Sequence, residues 1–358
     1  MVSKALRMAM NLWLLGPIGR AKRDRAPAPE GSRMQGKIAL EEHFAIEATL
    51  SDSQVFGAHV WDELGPRLTD FQDQRLKLMD ASGVEVMILS LNAPAVQAIA
   101  DVKRAIAVAR EANDRLAQEI AKRPMRFAGF AALPMQDPDA AARELTRCVK
   151  ELGFVGALVN GFSQAGSANS ALYYDLPQYR PFWKTVAELR VPFYLHPRNP
   201  LPGAIPSYEG HNWLLGPNWA FHAETAVHAL RLIGSGLFDE HPELQIILGH
   251  LGEGIPAYLW RIDHRNDWMQ ARHRYAAKQW VADYFRNNFV LTTSGNFSTS
   301  ALNQAIAEIG VERVLWSADY PFEEISHAAD WIDKAPLSEE DRKKIVRTNA
   351  QKLFKLKI

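Results

Sequence analysis

The chain has 358 residues, of which 47% are hydrophobic and 23% are charged, and its formal net charge at pH 7 is zero. This composition is typical of a globular protein with a large core, and a neutral chain has no general electrostatic attraction for nucleic acid or for an anionic membrane. The single cysteine, Cys148, excludes an internal disulfide and a cysteine-rich metal site, and we interpret it as a buried thiol in a reducing, cytoplasmic compartment.

The first 33 residues differ from the rest of the chain because they are rich in lysine and arginine. Their apolar stretch at residues 8–18 is too short to span a bilayer, and residues 26–32 have the composition of a linker. The stretch loosely resembles the core of a signal peptide, but no clean small-x-small cleavage pattern follows it. We therefore expect residues 1–33 to be a disordered extension and residues 34–358 to form one catalytic domain without a transmembrane helix.

From residue 34 onward, short runs rich in β-branched residues alternate with amphipathic helical stretches. The predicted strands are residues 37–43, 84–91, 126–133, 154–160, 191–197, 245–250, 288–295 and 313–319. The main predicted helices are residues 70–81, 102–121, 137–151, 223–238 and 338–354. Several of the strands are apolar on both faces, as in a buried parallel sheet, and eight β/α alternations indicate a (β/α)8 TIM barrel.

Two of the predicted connections are long. One covers residues 45–66 after the first strand, and the other covers residues 198–221 after the fifth. Both follow the C-terminal ends of strands, where barrel active sites form, so we expect them to be lids or pocket walls. Neither a G-x-G-x-x-G sequence after the first strand nor a Walker loop is present, which removes the main sequence support for a nucleotide site.

Polar residues stand where four of the predicted strands end. They are Glu41, His43, His196, His250 and Asp319. Side chains alternate along a strand, so Glu41 and His43 should share one face while Glu42 takes the other. A mixed set of nitrogen and oxygen ligands is how catalytic zinc is held, and it also suits other divalent ions, so the joint placement predicts a metal site. The other eight histidines fall in predicted loops or helices, where we expect surface or packing roles, although His211 and His222 could approach the pocket.

These positions belong to longer motifs: Glu41-x-His43, His196-Pro197, Gly249-His250-x-Gly252-Glu253 and Asp319-Tyr320-Pro321-Phe322. The motifs resemble those of the amidohydrolase superfamily. The chain resembles more closely one branch of this superfamily, the non-oxidative aromatic acid decarboxylases, and among them the γ-resorcylate (2,6-dihydroxybenzoate) decarboxylases. This closer resemblance is carried by residues 40–45, 89–96, 153–164, 172–183 and 260–265. The similarity extends from about residue 34 to the C-terminus.

One departure from the wider superfamily bears on the metal. Hydrolytic members commonly have His-x-His on the first strand and often a carboxylated lysine on the fourth, whereas here Glu41 replaces the first histidine and the fourth strand ends at Asn160. The resemblance therefore implies a mononuclear site that holds one divalent ion, Zn²⁺ or Mn²⁺. Its implied ligands are Glu41, His43, His196 and Asp319.

The resemblance also implies the reaction, which is the release of CO₂ from a hydroxybenzoate by a carboxy-lyase. A free aryl anion is too unstable to form, so the ring carbon must be protonated before CO₂ leaves. We interpret Asp319 as that acid, His250 as the group that exchanges a proton with the ortho hydroxyl, and Glu253 as the residue that orients His250.

Arg261 is implied for polar contacts with the substrate, and Phe56 and Phe322 as apolar walls. The resemblance favours 2,6-dihydroxybenzoate as the substrate. It also implies that the protein is a homotetramer. The alternatives are decarboxylation of 2,3-dihydroxybenzoate or salicylate, metal-dependent hydrolysis of a lactone or amide, and a metal-stabilised binding protein.

Overall fold

The computed structural model describes residues 33–56, 58–271 and 274–358. The extension predicted for residues 1–33 therefore lies outside the described residues, except for Arg33. The guanidinium of Arg33 pairs with Asp330, with Nη2 and Oδ1 2.7 Å apart. None of the described helices has both the length and the apolar character needed to cross a lipid bilayer.

Eight parallel strands follow one another in chain order around a single sheet. They are β1 Lys37–Phe44, β2 Val84–Leu91, β3 Phe127–Ala131, β4 Gly156–Asn160, β5 Phe193–His196, β6 Ile246–Leu248, β7 Phe289–Thr292 and β8 Val314–Leu315. Helical segments occupy the connections, so the predicted (β/α)8 barrel is confirmed. Strands β6 and β8 are shorter than the strands predicted at residues 245–250 and 313–319, because the chain leaves the ladder before His250 and before Asp319.

The α-helices of the described residues are α1 Glu47–Leu50, α2 Trp61–Thr69, α3 Gln74–Ala81, α4 Val102–Lys122, α5 Pro138–Lys150, α6 Arg180–Leu189, α7 Ala220–Gly234, α8 Leu237–Glu240, α9 Leu259–Trp268, α10 Val281–Asn288, α11 Thr299–Ile309, α12 Ile325–Lys334, α13 Glu339–Lys343 and α14 Asn349–Leu353. The predicted helix 223–238 is divided between α7 and α8, because Gly236 adopts a φ of +77° that ends a right-handed helix. The predicted helix 338–354 contains a π-helical turn, Lys344–Thr348, between α13 and α14.

Short 3-10 helices fill much of the remaining chain. They are Ser51–Phe56, Ala58–Val60, Ala95–Ala98, Pro177–Tyr179, Pro202–Tyr208, Asn212–Leu214, Gly216–Asn218, Ile255–Tyr258 and Val311–Arg313. Six of these segments belong to the connections after β1, β5 and β6. The two long connections predicted from the sequence are therefore built from short helical turns, and they follow the strand ends that carry the site motifs.

Two groups of buried side chains form the core. The larger group packs between the sheet and the surrounding helices. The smaller fills the inside of the barrel, and on the first two strands it takes alternate residues, Ile38 and Leu40 on β1 and Val86 and Ile88 on β2. Phe354, from the C-terminal end of the chain, packs against this inner group. The filled interior leaves the C-terminal ends of the strands as the place where polar side chains can converge.

Candidate metal centre

Four side chains from β1, β5 and the segment after β8 meet at the C-terminal ends of the strands. They are Glu41, His43, His196 and Asp319, and each offers one ligand atom within 4.8 Å of the others. His43 Nε2 lies 3.2 Å from Asp319 Oδ1, and His196 Nε2 lies 3.3 Å from Glu41 Oε1. The structure thus brings together all four residues that the sequence analysis selected as ligands.

The hydrogen bonding of these groups fits a bound cation. Glu41 Oε1 and His43 Nε2 are buried and accept no hydrogen bond from any described residue. His196 Nδ1 lies 3.0 Å from the carbonyl oxygen of Pro197, which can only accept, so this nitrogen carries the proton and Nε2 keeps a free lone pair. Burial lowers the pKa of His43, which favours the neutral imidazole that binds metals. The donor set therefore suits one divalent metal ion.

The second carboxylate oxygen of Glu41 is held by three hydroxyl groups. Glu41 Oε2 accepts hydrogen bonds from Tyr194 and Ser294, and Thr292 Oγ1 lies 3.3 Å away. Burial and the nearby Glu41 raise the pKa of Tyr194 well above its usual value, so the phenol keeps the proton that it donates. Because Oε2 is fully engaged, the carboxylate is oriented with Oε1 towards the histidines.

The charge of Glu41 is also set by its surroundings. Burial by itself would raise the pKa of this carboxyl group, but the surrounding imidazole groups, foremost the charge of His250, outweigh burial and lower the pKa. Glu41 is therefore ionised, which is the form that binds a cation.

Several residues of the site have backbone conformations that L-amino acids rarely adopt. Positive φ angles occur at Glu41, His250, Leu251, Glu253 and Asp319. Glu41 is in addition a bulge in β1, because Leu40 pairs with Ile88 while Glu42 pairs with the next residue of β2. Each such residue costs on the order of 1–3 kcal/mol, and this strain is concentrated where side chains must be directed at a shared point.

His250 and Glu253 form a pair beside the four candidate ligands. His250 Nδ1 lies 2.7 Å from Glu253 Oε1, while its Nε2 lies 3.8 Å from Glu41 Oε1 and 3.9 Å from Asp319 Oδ2. Burial opposes protonation of His250, but the charges of Glu253 and Glu41 outweigh it and raise the pKa. His250 can therefore carry a proton within the pocket, with its ring oriented by Glu253.

Two glycines leave room for these groups. A methyl group on Gly249 would lie 2.8 Å from Glu41 Oε2. A methyl group on Gly295 would lie 3.0 Å from His250 Cδ2 and 3.2 Å from Asp319 Oδ2, and the φ of Gly295 is +59°. Any larger residue at either position would displace the site's own side chains.

The structure places the remaining predicted site residues unequally. The ring of Phe322 packs edge-on against His43 with centroids 5.6 Å apart, which is consistent with an apolar wall. Arg261 lies on α9 with its side chain exposed, so its contact with a substrate stays a prediction. The side chain of Phe56 lies outside the part of the chain that the structure describes.

Three hydroxyl-bearing residues around the ligands were not predicted from the sequence. Tyr194 stands two residues before His196 on β5, and Thr292 and Ser294 stand likewise at the end of β7, so the period of two along a strand could have found all three. His222 carried no such signal. It was expected to have a surface or packing role, with an approach to the pocket as the alternative, and its Nδ1 lies 3.9 Å from Glu253 Oε2.

Comparisons with known proteins agree with this site. A family model described as Amidohydrolase matches residues 56–356. The γ-resorcylate decarboxylase of Rhizobium sp. (strain MTP-10005) is 66% identical over 324 residues, which are 90% of this chain and 99% of that protein. A crystal structure of 2,6-dihydroxybenzoate decarboxylase complexed with 2,6-dihydroxybenzoate is 66% identical, with a TM-score of 0.89 over 90% of this chain and 100% of that chain.

A second solved structure is informative about metal. It is a dihydroxybenzoic acid decarboxylase from Polaromonas sp. JS666 with bound manganese and the inhibitor 2-nitroresorcinol. Its sequence is 65% identical, and the TM-score is 0.89 over 91% of this chain and 98% of that chain. The likeness covers nearly all of each compared protein.

Removing the phenol that holds Glu41 should weaken metal binding. In Tyr194→Phe, Glu41 Oε2 loses one of its donors and the carboxylate is less firmly oriented, so we expect the Mn²⁺ dissociation constant to rise by about 10–100-fold. Calorimetric titration of the metal-free protein measures this constant. The matched control is Tyr179→Phe, which removes a buried hydroxyl bonded to the carbonyl oxygen of Met135 (2.6 Å). Equal dissociation constants in the two variants would contradict the assigned role.

Proposed function

The chain belongs to the amidohydrolase family, and on that premise we propose that it is a non-oxidative decarboxylase that converts 2,6-dihydroxybenzoate (γ-resorcylate) to resorcinol and CO₂, in a reversible reaction. The observation that carries the proposal is the placement of Asp319. Its side chain is 16% exposed, whereas those of Glu41 and His43 are fully buried, and it lies between His43 and His250. Relatives that share 65–66% of their sequence with this chain carry the name γ-resorcylate decarboxylase.

Glu41, His43, His196 and Asp319 would hold one divalent ion per chain, Zn²⁺ or Mn²⁺. When bound, the ion supplies positive charge that orients the substrate carboxylate and its ortho oxygen and stabilises their negative charge. A single ion is supported by β4, which ends at Asn160 rather than at a lysine. The amide nitrogen of Asn160 donates to the carbonyl oxygen of Asn92 at 3.0 Å, which is a structural role. Manganese is supported by the relative from Polaromonas.

The reaction begins with proton transfer to the ring carbon that carries the carboxylate. The carboxylic acid form of Asp319 donates the proton, a C–H bond forms, and the ring loses its aromaticity. The bond between the ring carbon and the carboxylate then breaks, and its electron pair returns to the ring as CO₂ leaves. Asp319 is suited to this step because it is the most exposed of the four candidate ligands and so faces the pocket.

His250 and Glu253 serve the hydroxyl group next to the reacting carbon. His250 would accept or donate a proton at this hydroxyl group, and the deprotonated oxygen feeds electron density into the ring and makes the ring carbon more basic. Glu253 holds Nδ1 of His250 at 2.7 Å and stabilises the protonated form of the imidazole. Phe322 supplies an apolar wall beside His43, and Phe56 and Arg261 are proposed to complete the substrate pocket.

The proposal includes the assembly and location that the family resemblance implies, a cytoplasmic homotetramer with a small aromatic carboxylate as its ligand. The surface around α9 supports contacts between subunits because it exposes large apolar side chains. They are Tyr258, Trp260, Trp268 and Met269.

A direct assay distinguishes the candidate reactions. Protein loaded with Mn²⁺ or Zn²⁺ is incubated with 2,6-dihydroxybenzoate, 2,3-dihydroxybenzoate, salicylate or an aromatic lactone, and each compound is followed by ultraviolet absorbance. We expect loss of 2,6-dihydroxybenzoate at the highest kcat/KM, with resorcinol and CO₂ as products. Faster loss of 2,3-dihydroxybenzoate or salicylate would show that this compound is the substrate instead. Opening of the lactone alone would show that the protein is a hydrolase and not a decarboxylase.

The metal content should be about one divalent ion per chain. The described residues contain one cluster of candidate ligands, and no lysine is placed to bridge two ions. Elemental analysis of protein dialysed against metal-free buffer measures the ratio. Two tightly bound ions per chain would contradict the mononuclear site.

Asp319→Asn should separate proton donation from metal binding. Asparagine keeps an oxygen that can contact the ion but cannot deliver a carboxylic proton, so activity per bound metal should fall by about 10²–10⁴-fold. His196→Ala removes a ligand only and should lose metal and activity together. If Asp319→Asn, corrected for metal content, retains activity within a few-fold of the unmodified protein, Asp319 is only a ligand and His250 becomes the proton donor.

A further inference from the structure

The junction between β8 and β1 is made differently from the other seven junctions of the sheet. Parallel ladders join each strand to the next from β1 to β8. Across the described residues of the last junction, one backbone hydrogen bond connects β1 to the segment after β8, from His43 N to Tyr320 O at 2.6 Å. The segment that carries Asp319 therefore needs other contacts to hold it against β1.

The side chain of Glu42 supplies those contacts. Its carboxyl group is fully buried, and Oε1 accepts from Ser317 Oγ at 3.1 Å and from Ala318 N at 2.8 Å. The other oxygen, Oε2, accepts from Tyr320 N at 3.0 Å. The donors stand on both sides of Asp319 in the chain, so one rigid group holds the backbone before and after it.

The site side of β1 is unaffected by this contact, because Glu42 points away from the candidate ligands. Side chains alternate along a strand, and Glu41 and His43 are directed at the metal centre while Glu42 is directed at the neighbouring segment. Glu42 is thus a buried polar group that the proposed reaction itself does not use.

Arg75 strengthens the same junction from α3. Its Nη2 donates to the carbonyl oxygen of His43 at 2.7 Å, and its guanidinium lies 4.8 Å from the centroid of the Tyr320 ring. The backbone of His43 and the residue after Asp319 are therefore held in the same place by one fully buried cation.

Asp319 requires this support because its backbone is strained. Its φ is +78°, a left-handed conformation that costs an L-residue energy and persists only where the surroundings hold it. A small relaxation of the segment would move both Oδ atoms away from His43 and His250, which lie 3.2 Å and 3.9 Å from them.

We propose that Glu42 is a positioning residue that acts through Asp319: it fixes the segment 317–320 so that the Asp319 carboxyl group is directed at the metal centre and the substrate. The catalytic part of this inference rests on the proposed decarboxylation. The part that concerns metal binding does not, because it depends only on Asp319 as a ligand.

Glu42→Gln tests the proposal with little change in size. A carboxamide can accept at one oxygen only, so its NH₂ group must face one of the donors from Ser317, Ala318 or Tyr320, and that donor is displaced. We expect kcat and the affinity for Mn²⁺ each to fall by about 10–100-fold, with KM changed by less than about threefold. Stopped-time product assays and calorimetric titration with Mn²⁺ provide the three values.

The matched control is Glu119→Gln on α4. Glu119 is also a buried carboxylate in a network, bonded to Gln72 and paired with Arg115 and Lys122, but none of these residues contacts the site. The control should lower the melting temperature while leaving kcat and the Mn²⁺ dissociation constant unchanged. If Glu42→Gln behaves like Glu119→Gln in all three measurements, Glu42 has a structural role only and the proposal is wrong.

A double-mutant cycle on the Mn²⁺ dissociation constant decides whether Glu42 acts through Asp319. In an Asp319→Ala background, Glu42→Gln should weaken binding by less than about threefold, because the ligand that Glu42 positions is already gone. If the double variant instead raises the Mn²⁺ dissociation constant by the product of the two single-variant factors, the proposal is wrong.

Two further arms keep the test decisive. If Glu42→Gln does not fold, Ser317→Ala removes one donor and keeps the carboxyl group, and it should shift kcat and Mn²⁺ affinity in the same direction by a smaller factor. No shift in Ser317→Ala would then count against the proposal. If the unmodified protein does not decarboxylate 2,6-dihydroxybenzoate, the proposed function fails, while the Mn²⁺ titrations still test Glu42 alone.

Discussion

The burial of the Glu41 carboxylate is the constraint on which the rest of the site depends. A charged carboxylate taken out of water is destabilised by several kcal/mol unless its oxygens are compensated. One oxygen meets three hydroxyl groups from β5 and β7, and the other faces His196 and the space shared by the candidate ligands. The bulge in β1 and the bare backbone of Gly249 follow from the need to fit this group at the ends of the strands.

The residues of the site lie in two kinds of backbone: strand ends, and segments with strained backbone conformations. His43 and His196 lie within the C-terminal ends of β1 and β5, and their rings are held by Ser90 and by the carbonyl oxygen of Pro197. His250 and Asp319 lie just beyond the short strands β6 and β8, in left-handed conformations. The strands fix the positions of His43 and His196, and the strained segments direct His250 and Asp319, the groups proposed to exchange protons, into the pocket.

The two carboxylates of the proposed metal centre have different surroundings. Glu41 is enclosed by hydroxyl groups and held ionised, whereas Asp319 is partly exposed and has His250 on its open side. In the proposed reaction Glu41 remains a ligand throughout, and Asp319 protonates the ring carbon so that CO₂ can leave from it.

The sequence by itself determined the order of the elements and the ends of the strands that carry the chemistry. Apolar runs of strand length are a local property, and so is the alternation that separates Glu41 and His43 from Glu42. Only the tertiary structure decided which atoms meet. Tyr194 reaches Glu41 across 153 residues, and Ser317 reaches Glu42 across 275. The closure of the barrel sets these contacts, and a local pattern carries no information about which distant strand end will face it. For the same reason the sequence could not establish that His222 lies beside Glu253 or that Arg261 is exposed on α9.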